Sequence, residues 1–219
     1  MKTAVILQDV DGRPERVRAL RAVHPYVRVF CPPDRSIPGA TPIDVPPEWL
    51  PAADTGRNHW WKADALAIAA ALDVTADFYW FIESDVVAMQ DVWQRLFDTH
   101  ADNPTHCLAT AIGRRGPGSG FRHWDHPGTP RNADRHFIMA VYRLSRAAVE
   151  ASAAMAEDLR ETFSEVSVPY VMKRCGLSMA DMNGRGHFWS PTTFRTKPQE
   201  VKIDRGFLNH PVKHDSFEP

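Results

Sequence analysis

The 219-residue sequence contains few cysteines and no long apolar run. No stretch approaches the ~20 consecutive apolar residues that a membrane-spanning helix requires, and the apolar run at the N-terminus is too short for a signal peptide. We therefore expect a cytoplasmic protein. The three cysteines, Cys31, Cys107 and Cys175, are odd in number and widely spaced, which matches neither a disulfide framework nor a zinc site. We expect all three to be reduced, buried thiols.

The sequence also has almost no net charge, −1 at pH 7, and so no global field that would draw it to nucleic acids or membranes. Its hydrophobic content of 43% and charged content of 24% are those of an ordinary soluble globular protein. There is no internal repeat and no domain-scale linker, and the length suits one α/β domain. We therefore expect a single domain over residues 1–219.

Short apolar runs alternate with stretches of helical spacing along the chain. Residues 3–7 and 26–30 are predicted strands, and residues 14–23 between them are a predicted helix. This β-α-β order favours parallel strands joined by a right-handed crossover. We expect an α/β fold with a mostly parallel central sheet flanked by helices. Further strands are predicted at residues 78–82, 106–112 and 137–142, and further helices at residues 60–72, 90–100, 145–159 and 164–175.

The strand predicted at residues 78–82 is followed by two carboxylates. Its five residues are all large and apolar, which indicates a strand buried on both faces of the sheet. Glu83 and Asp85 cannot remain in that core, because burying an unpaired carboxylate is too costly. Ligand sites in α/β sheets lie at the carboxyl ends of strands, so we expect this pair to line a functional site.

The spacing of the two acids suggests a metal site. In an extended chain Glu83 and Asp85 point to the same side, so both can contact one cation. Carboxylate oxygens suit Mg²⁺ or Mn²⁺, ions that usually keep several waters and bridge to substrate phosphates. The alternative is that these acids only cap the helix that follows the strand.

The order of these features resembles the GT-A glycosyltransferases. The resemblance rests on the aromatic strand, on E-S-D at residues 83–85, on F-I-M-A-V-Y-R-L-S-R at residues 137–146 and on a late histidine in N-H-P-V-K-H at residues 209–214. It implies a single GT-A-like (Rossmann-like) domain in which residues 1–112 bind nucleotide-sugar and metal and residues 113–219 form the acceptor and catalytic half. It further implies a hexosyl- or pentosyltransferase that moves a sugar from a nucleotide-diphosphate sugar to an acceptor hydroxyl.

In that family an acid-x-acid motif holds a divalent ion on the donor diphosphate, and a late histidine often completes the metal shell. The resemblance therefore implies Asp85 and Glu83 as ligands of Mn²⁺ or Mg²⁺, with His210 as a third. Glu83 stands where the family more usually has Asp, so Glu83 contacts either the metal or the ribose. Lys213 or His214 is expected to contact the diphosphate. The alternative for this tail is a solvated segment with incidental histidines.

The segment E-T-F-S-E-V-S-V-P-Y at residues 161–170 is similar to the family's helix that carries a catalytic carboxylate. An inverting transferase needs a base that takes the proton of the acceptor hydroxyl, and a carboxylate in the pocket can serve. Glu165 is the first candidate and Glu161 the second. Alternatively, Glu165 is only a first-turn acid stabilised by the helix dipole, and Glu161 is a surface charge.

Donor recognition is expected from the end of the first strand and from the segment before the second predicted helix. The resemblance places Asp9, Asp11 and Arg13 where the base and ribose bind. Arg57 and Lys62 lie on either side of a predicted helix start, where anions are favoured. The sequence therefore predicts a donor site built from these five residues together with the acidic pair.

Two long loops, residues 31–57 and 113–136, are expected to shape the donor and acceptor sites. The second loop combines glycines, arginines and aromatic residues, which suggests a lid that orders over the donor and excludes water. Trp124 within it is a candidate for contacting a sugar acceptor. The alternative is an ordinary exposed loop.

Other functions are compatible with the same residues. The acceptor is expected to be a carbohydrate or another hydroxyl compound, with a modified nucleic-acid base as a minor option. Asp9 and Asp11 also resemble the nucleophile motif of haloacid-dehalogenase-type phosphatases. A nucleotidyltransferase would need a glycine-rich basic loop after the first strand, and residues 11–13 are too few to form one. A non-catalytic module that binds a sugar, a nucleotide or nucleic acid is the last alternative.

Overall fold

Seven strands and five α-helices lie within the residues that the structure describes, which are 1–8, 14–52, 62–117, 119, 121–126, 128–189 and 204–210. The structure is a computed structural model. The strands are β1 (Thr3–Gln8), β2 (Val27–Cys31), β3 (Thr41–Pro42), β4 (Phe78–Glu83), β5 (Cys107–Arg114), β6 (Arg135–Ser145) and β7 (Met179–Asp181). The α-helices are α1 (Pro14–Val23), α2 (Ala63–Leu72), α3 (Gln90–Thr99), α4 (Arg146–Ala154) and α5 (Ser164–Arg174).

The seven strands form one sheet in the order β3-β2-β1-β4-β6-β5-β7. Only β6 runs antiparallel to its neighbours, β4 and β5, and the other pairs in this sheet are parallel. The predicted α/β fold with a mostly parallel central sheet is therefore confirmed. β6 comes late in the chain and is inserted between two earlier strands, so the sheet is continuous across both halves of the sequence.

Strand β4 is buried on both faces, as its apolar run predicts. Tyr79 and Phe81 belong to the apolar core beneath α2, α4 and α5, whereas Trp80 and Ile82 belong to the core beneath α1 and α3. None of these four side chains is more than 2% exposed. Because successive side chains of the strand point to opposite faces of the sheet, β4 contributes to both cores, and it leaves the interior where the strand ends.

The carboxyl ends of β1 and β4 meet at the topological switch point of the sheet. From β1 the chain continues to β2 and β3 on one side, and it then crosses to β4 on the other side. Gln8, the last residue of β1, lies opposite Glu83, the last residue of β4. Ligands of open α/β sheets bind in the crevice at such a point. The acidic pair is therefore located where this architecture forms its ligand site.

The hairpin of β5 and β6 is longer than the sequence pattern predicts. Its pairing extends to Arg114 opposite Arg135, so both ends of the predicted loop 113–136 belong to strands. The residues at these strand ends are glycine, arginine and histidine, so the sequence has no alternation of apolar and polar residues that would predict a strand there. They are in strands because they form hydrogen bonds to the partner strand, which is distant in sequence. The chain between β5 and β6 forms a short 3₁₀ helix, Arg122–Asp125.

Some of the observed helix bounds agree with those predicted from the sequence, and others differ from them. Ser145 caps α4 as predicted, since its hydroxyl accepts a hydrogen bond from the Ala148 amide at 3.1 Å, but α4 ends at Ala154 instead of residue 159. The described part of α2 begins at Ala63. Asn58, the predicted cap of that helix, lies outside the described residues. Gly176 closes α5 as predicted, with a φ of 66° that favours glycine.

All three cysteines are free thiols, as expected. Cys31 and Cys107 are buried, but Cys175 is exposed because it directly follows the last turn of α5. The prediction of burial is therefore wrong for Cys175. None of the described helices is both long and apolar enough to cross a membrane.

Arg143 of β6 is a completely buried cation. Its guanidinium donates to the carbonyls of His100 at 2.7 Å and Asn103 at 2.5 Å, and it lies 4.4 Å from the centroid of the Phe78 ring. Burial lowers the pKa of Arg143 to about 10, so the group stays charged at neutral pH. Burial, together with the charge of Arg143, lowers the pKa of His100 to about 4, so this imidazole is neutral. The cluster ties the connection between α3 and β5 to the sheet.

Candidate metal centre

The acidic pair lies in the turn that ends β4. Glu83 is the last residue of the strand, and its carbonyl accepts a hydrogen bond from the Val86 amide at 3.2 Å, which closes the turn. The Glu83 side chain is 33% exposed, whereas that of Asp85 is 9% exposed. One carboxylate is therefore accessible at the mouth of the crevice and the other is enclosed beneath it.

A distant segment, residues 204–210, is bound to this turn by an antiparallel bridge. The amide of Val87 donates to the Asn209 carbonyl at 3.0 Å, and the amide of Asn209 donates back to the Val87 carbonyl at 2.9 Å. The side chain of Asn209 is completely buried and bonds the segment to itself, accepting from the Asp204 amide at 2.8 Å and donating to the Phe207 carbonyl at 2.8 Å. These bonds give the residue after Asn209 a defined position.

That residue is His210, whose ring is also held from the side of the sheet. The Trp189 ring lies edge-on to the His210 imidazole, with 6.2 Å between centroids and 77° between planes. The indole N–H of Trp189 donates to the hydroxyl of Thr110 in β5. Leu208, completely buried, anchors the same segment to the core, and its amide donates to the Phe188 carbonyl at 2.7 Å.

Glu83, Asp85 and His210 converge on a common point. The Nε2 atom of His210 is 3.4 Å from Oε2 of Glu83 and 3.5 Å from Oδ1 of Asp85. The three ligand atoms all lie within 4.8 Å of one another. Ligands of one ion at about 2.1 Å each are separated by about 3 Å in neighbouring positions and about 4.2 Å in opposite ones. The spacing therefore fits one divalent cation, and it is the one such cluster among the described residues.

The charge of this cluster also fits a cation. Two carboxylates and a neutral imidazole carry a charge of −2, and they face each other at a few ångströms, where like charges repel. Carboxylate oxygens suit Mg²⁺ and Mn²⁺, and an imidazole nitrogen shifts the preference toward transition ions such as Mn²⁺. In the absence of a cation, a protonated His210 would bridge the two carboxylates as an ion pair.

The cluster brings together the three residues that are predicted to bind metal. Glu83 and His210 are 127 positions apart in the sequence (83 to 210).

Lys62, by contrast, is not near the metal cluster. Lys62 is only 2% exposed, and its ammonium donates to Asp64 at 3.1 Å and to the carbonyls of Leu159 and Thr162 at 3.4 Å each. Lys62 therefore joins α2 to the start of α5 within the protein.

The two candidate bases lie at the start of α5. Glu165 is in the first turn of the helix and half-buried, whereas Glu161 is exposed, and its Oε1 accepts a hydrogen bond from the Ala52 amide at 2.9 Å. Phe163, the residue before α5, stacks on His123 with 4.0 Å between centroids. That stack belongs to an aromatic cluster that reaches His136 at the start of β6, so the residue before α5 lies near the start of that strand.

Trp124 is buried in this aromatic cluster, at 5% exposure. It contacts Phe121 and His136 edge-on, with 5.2 and 5.3 Å between centroids, and it packs on Val166 of α5. The expectation that Trp124 offers an open face to a sugar is therefore wrong. A large indole in a glycine-rich loop gains more from burial against α5 than from exposure to water.

Two residues at the crevice were not predicted from the sequence. Gln8 and Tyr142 line a small cavity beside Glu83, at the ends of β1 and β4. Tyr142 belongs to the apolar pattern of β6, which predicts a core residue and nothing more. Other predicted site residues, Asp9, Asp11, Arg13, Arg57 and Lys213, lie outside the described residues.

No protein-family model matches the sequence, and no curated protein is significantly similar to it. Solved structures of similar fold include a CMP-2-keto-3-deoxy-manno-octonic acid synthetase complexed with CTP (16% identity, TM-score 0.41, covering 83% of this chain and 89% of that chain). A 2-C-methyl-D-erythritol 4-phosphate cytidylyltransferase from Thermus thermophilus is 12% identical, with a TM-score of 0.49, and the match covers 83% of this chain and 88% of that chain. A glycosyltransferase involved in glycosylation of the major capsid of PBCV-1 is 11% identical, with a TM-score of 0.45, and the match covers 83% of this chain and 82% of that chain. These proteins do not share one activity, and similarity this distant assigns none to the present chain.

Proposed function

We propose that this protein is a divalent-metal-dependent glycosyltransferase that moves a sugar from a nucleotide-diphosphate sugar to an acceptor hydroxyl. The observation that carries the proposal is the cluster of Glu83, Asp85 and His210 at the switch point of the sheet. Three protein ligands leave the other positions of a six-coordinate ion to water and substrate phosphate oxygens. The crevice at this edge is where such a substrate binds in an open α/β sheet.

Within this proposal Glu83, Asp85 and His210 hold the ion, and Glu83 is the more exposed of the two carboxylates. When bound, the cation neutralises the charge that develops on the leaving diphosphate. Asp9, Asp11 and Arg13 are proposed to contact base and ribose, and Arg57 and Lys213 the phosphates. Lys62 has no part in it, because its ammonium is enclosed by protein oxygens.

Glu165 is proposed as the base. The acceptor oxygen forms a bond to the anomeric carbon while the bond from that carbon to the diphosphate oxygen breaks, and the acceptor's proton passes to the Glu165 carboxylate. Its half-buried position in the first turn of α5 supports this role. Glu161 is the second candidate; it is an exposed carboxylate ahead of the helix, and it accepts a hydrogen bond from the Ala52 amide.

Nucleotidyl transfer is a second candidate, favoured by the position of Arg16. This arginine of α1 is only 7% exposed, and it lines a small cavity together with Glu15, Val86 and Val87, the last two of which follow Asp85 closely. Arg16 thus brings a positive charge close to the turn that carries Asp85, and the larger negative charge of a nucleoside triphosphate favours such a surrounding. In that reaction the bond broken lies at the α-phosphate instead of the anomeric carbon, and the cation has the same role.

The two candidates release different products. The protein should be incubated with UDP-, GDP-, CDP- and TDP-sugars, and separately with the nucleoside triphosphates and a sugar phosphate, with Mn²⁺, with Mg²⁺ or with EDTA. Metal-dependent release of nucleoside diphosphate from one sugar donor supports glycosyl transfer, whereas release of pyrophosphate supports nucleotidyl transfer. Release of inorganic phosphate from simple phosphomonoesters, lost in Asp9→Asn, would support a phosphatase instead. Equal turnover with EDTA would refute the metal-dependent proposal.

A further inference from the structure

Two arginines face each other across the hairpin of β5 and β6. Arg114 of β5 lies directly opposite Arg135 of β6. Side chains of directly opposed residues project from the same face of a sheet, with Cβ atoms about 5 Å apart, and like charges in such a pair are destabilising. Arg114 is exposed and Arg135 is half-buried. The pairing therefore places two positive charges side by side at the surface.

No carboxylate in the part of the chain that the structure describes is paired with these two guanidinium groups. The sequence from residue 113 to residue 136 contains five arginines and two acids. Both acids pair with other cations, Asp125 with Arg115 at 3.6 Å and Asp134 with Lys173 at 3.1 Å. The opposed arginines therefore keep a charge of +2 that an anionic ligand can neutralise.

The neighbouring pair of the hairpin is closely packed, which fixes the backbone that carries the arginines. Gly113 lies opposite His136, and a Cβ atom at that glycine would be 2.1 Å from the imidazole. The same imidazole stacks on Phe121, with 4.0 Å between centroids. A site on a rigid element loses less conformational entropy when its ligand binds. The two cations are therefore held next to each other before any ligand arrives.

The arginine pair lies beyond the metal cluster, on the side of the sheet where β4 ends. Ile82 of β4 lies opposite Val141 of β6, and Arg135 comes six residues earlier in β6, which runs antiparallel to β4. At about 3.3 Å per residue, β6 extends about 20 Å past Ile82 in the direction in which β4 ends. The pair is therefore too distant to bind phosphates held by the metal ion, and the transferred sugar and the acceptor can lie between the two sites.

We propose that Arg114 and Arg135 bind a phosphate group of the acceptor. The inference rests on the proposed function and assigns the acceptor to the phosphorylated hydroxyl compounds. A phosphate monoester carries a charge close to −2 at neutral pH, which matches two guanidinium groups, and its oxygens accept the N–H donors of arginine in pairs. A carboxylate carries a single negative charge and neutralises only one of the two arginines.

The test compares Arg114→Gln and Arg135→Gln with the matched variant Arg115→Gln. Each variant loses one positive charge, but Arg115 is already paired with Asp125. Dissociation constants of inorganic phosphate, glucose 6-phosphate, glucuronate and glucose would be measured by titration followed by NMR. Wild-type protein should bind the two phosphate compounds more tightly than glucuronate, and glucuronate more tightly than glucose. Arg114→Gln and Arg135→Gln should each weaken phosphate binding about tenfold, as for a lost charge-assisted hydrogen bond, and Arg115→Gln less than twofold.

Thermal unfolding without ligand separates a binding role from a structural one. Because opposed like charges destabilise a strand pair, Arg114→Gln should leave Tm in phosphate-free buffer unchanged or raise it. Added glucose 6-phosphate should then raise the Tm of the wild type more than that of the variant. A lower Tm of Arg114→Gln in phosphate-free buffer, together with unchanged affinity for glucose 6-phosphate, would show that the arginine serves the hairpin and would overturn the inference.

Different failures have different meanings. If wild-type protein binds neither phosphate compound more tightly than glucose, the inference is overturned without any variant. If all three variants lose the same affinity, the anion is attracted by the general positive charge of the hairpin, and the inference is again overturned. If the protein binds no nucleoside diphosphate with Mn²⁺ while Arg114→Gln and Arg135→Gln still lose phosphate binding selectively, the proposed function falls and the phosphate site stands.

Discussion

Replacing His210 with alanine should remove the preference for Mn²⁺ over Mg²⁺. The His210 Nε2 atom lies 3.4 and 3.5 Å from the two carboxylates, so it supplies one of three protein ligands and the only nitrogen. Changing a residue that merely supports a ligand typically costs about 10- to 100-fold in metal affinity, and loss of a direct ligand should cost at least as much for Mn²⁺, or about 1.4–2.7 kcal/mol. The loss for Mg²⁺, which prefers oxygen, should be smaller.

Calorimetric titration of both ions into wild-type and His210→Ala protein measures this difference. Protons compete with the cation for imidazole, so Mn²⁺ affinity should fall as the pH is lowered in the wild type and fall less in the variant. His106→Ala is the matched control, because His106 is bonded to Ser178 at 2.8 Å at the opposite edge of the sheet. Unchanged Mn²⁺ affinity in His210→Ala, combined with a lower Tm in metal-free buffer, would refute the ligand role and identify His210 as an ion-pair partner of the carboxylates.

Three further predictions follow from the structure. Glu165→Gln should lower the transfer rate about 10²- to 10⁴-fold, whereas Glu161→Gln should nearly preserve it, in initial-rate assays; equal losses would remove Glu165 as the base. The pKa of His100 is lowered to about 4, so the unfolded chain binds a proton below its ordinary pKa of about 6.5 that the native protein does not accept. The free energy of unfolding should therefore fall by up to about 3 kcal/mol as pH drops from 6.5 to 4, measured by urea denaturation, and a flat profile would contradict this. Gly128→Ala should destabilise the protein by about 1–3 kcal/mol in the same assay, because the new methyl group would lie 2.1 Å from the Glu161 carbonyl oxygen, and unchanged stability would show that the loop yields.

The fold was largely predictable because its signals are local. The five apolar residues before Glu83 indicate a strand buried on both faces, and Pro14 together with the spacing after it predicts α1 at its observed bounds. The insertion of β6 between β4 and β5 was not predictable, since it depends on pairing between strands that are far apart in sequence. The hairpin of β5 and β6 is longer than predicted for the same reason, since its outer pairs depend on contacts between strands and not on a local sequence pattern.

The candidate site was predictable only in part. Glu83 and Asp85 follow from the cost of burying carboxylates at a strand end, but the place of His210 depends on the bridge between Val87 and Asn209, which no periodicity reveals. His210 was predicted from a family resemblance instead. Tyr142 has the sequence pattern of a core residue, and its unsatisfied hydroxyl is visible only in three dimensions.

Lys62 shows the opposite error. A cation next to a helix start suggests an anion site, but two positions later Asp64 supplies the anion from within the chain. The Asp64 carboxylate also accepts a hydrogen bond from Ser167 of α5, so the pair joins two helices. The sequence alone does not distinguish a lysine that can bind a phosphate from one whose charge is already neutralised within the protein, because the difference depends on whether the lysine side chain is buried.

Metal-dependent nucleotide binding at Glu83, Asp85 and His210 can be measured by thermal unfolding. Thermal unfolding of the wild-type protein and of Asp85→Ala would be followed with UDP, GDP, CDP or TDP, each with Mn²⁺ and with EDTA. A nucleotide at 100 times its dissociation constant stabilises the native state by about 2.7 kcal/mol, which is about 5–10 °C in Tm for a chain of this size. Such a shift is expected for at least one nucleotide, only with Mn²⁺ and only with Asp85 intact. No shift with any nucleotide, or the same shift in EDTA or in Asp85→Ala, would contradict it.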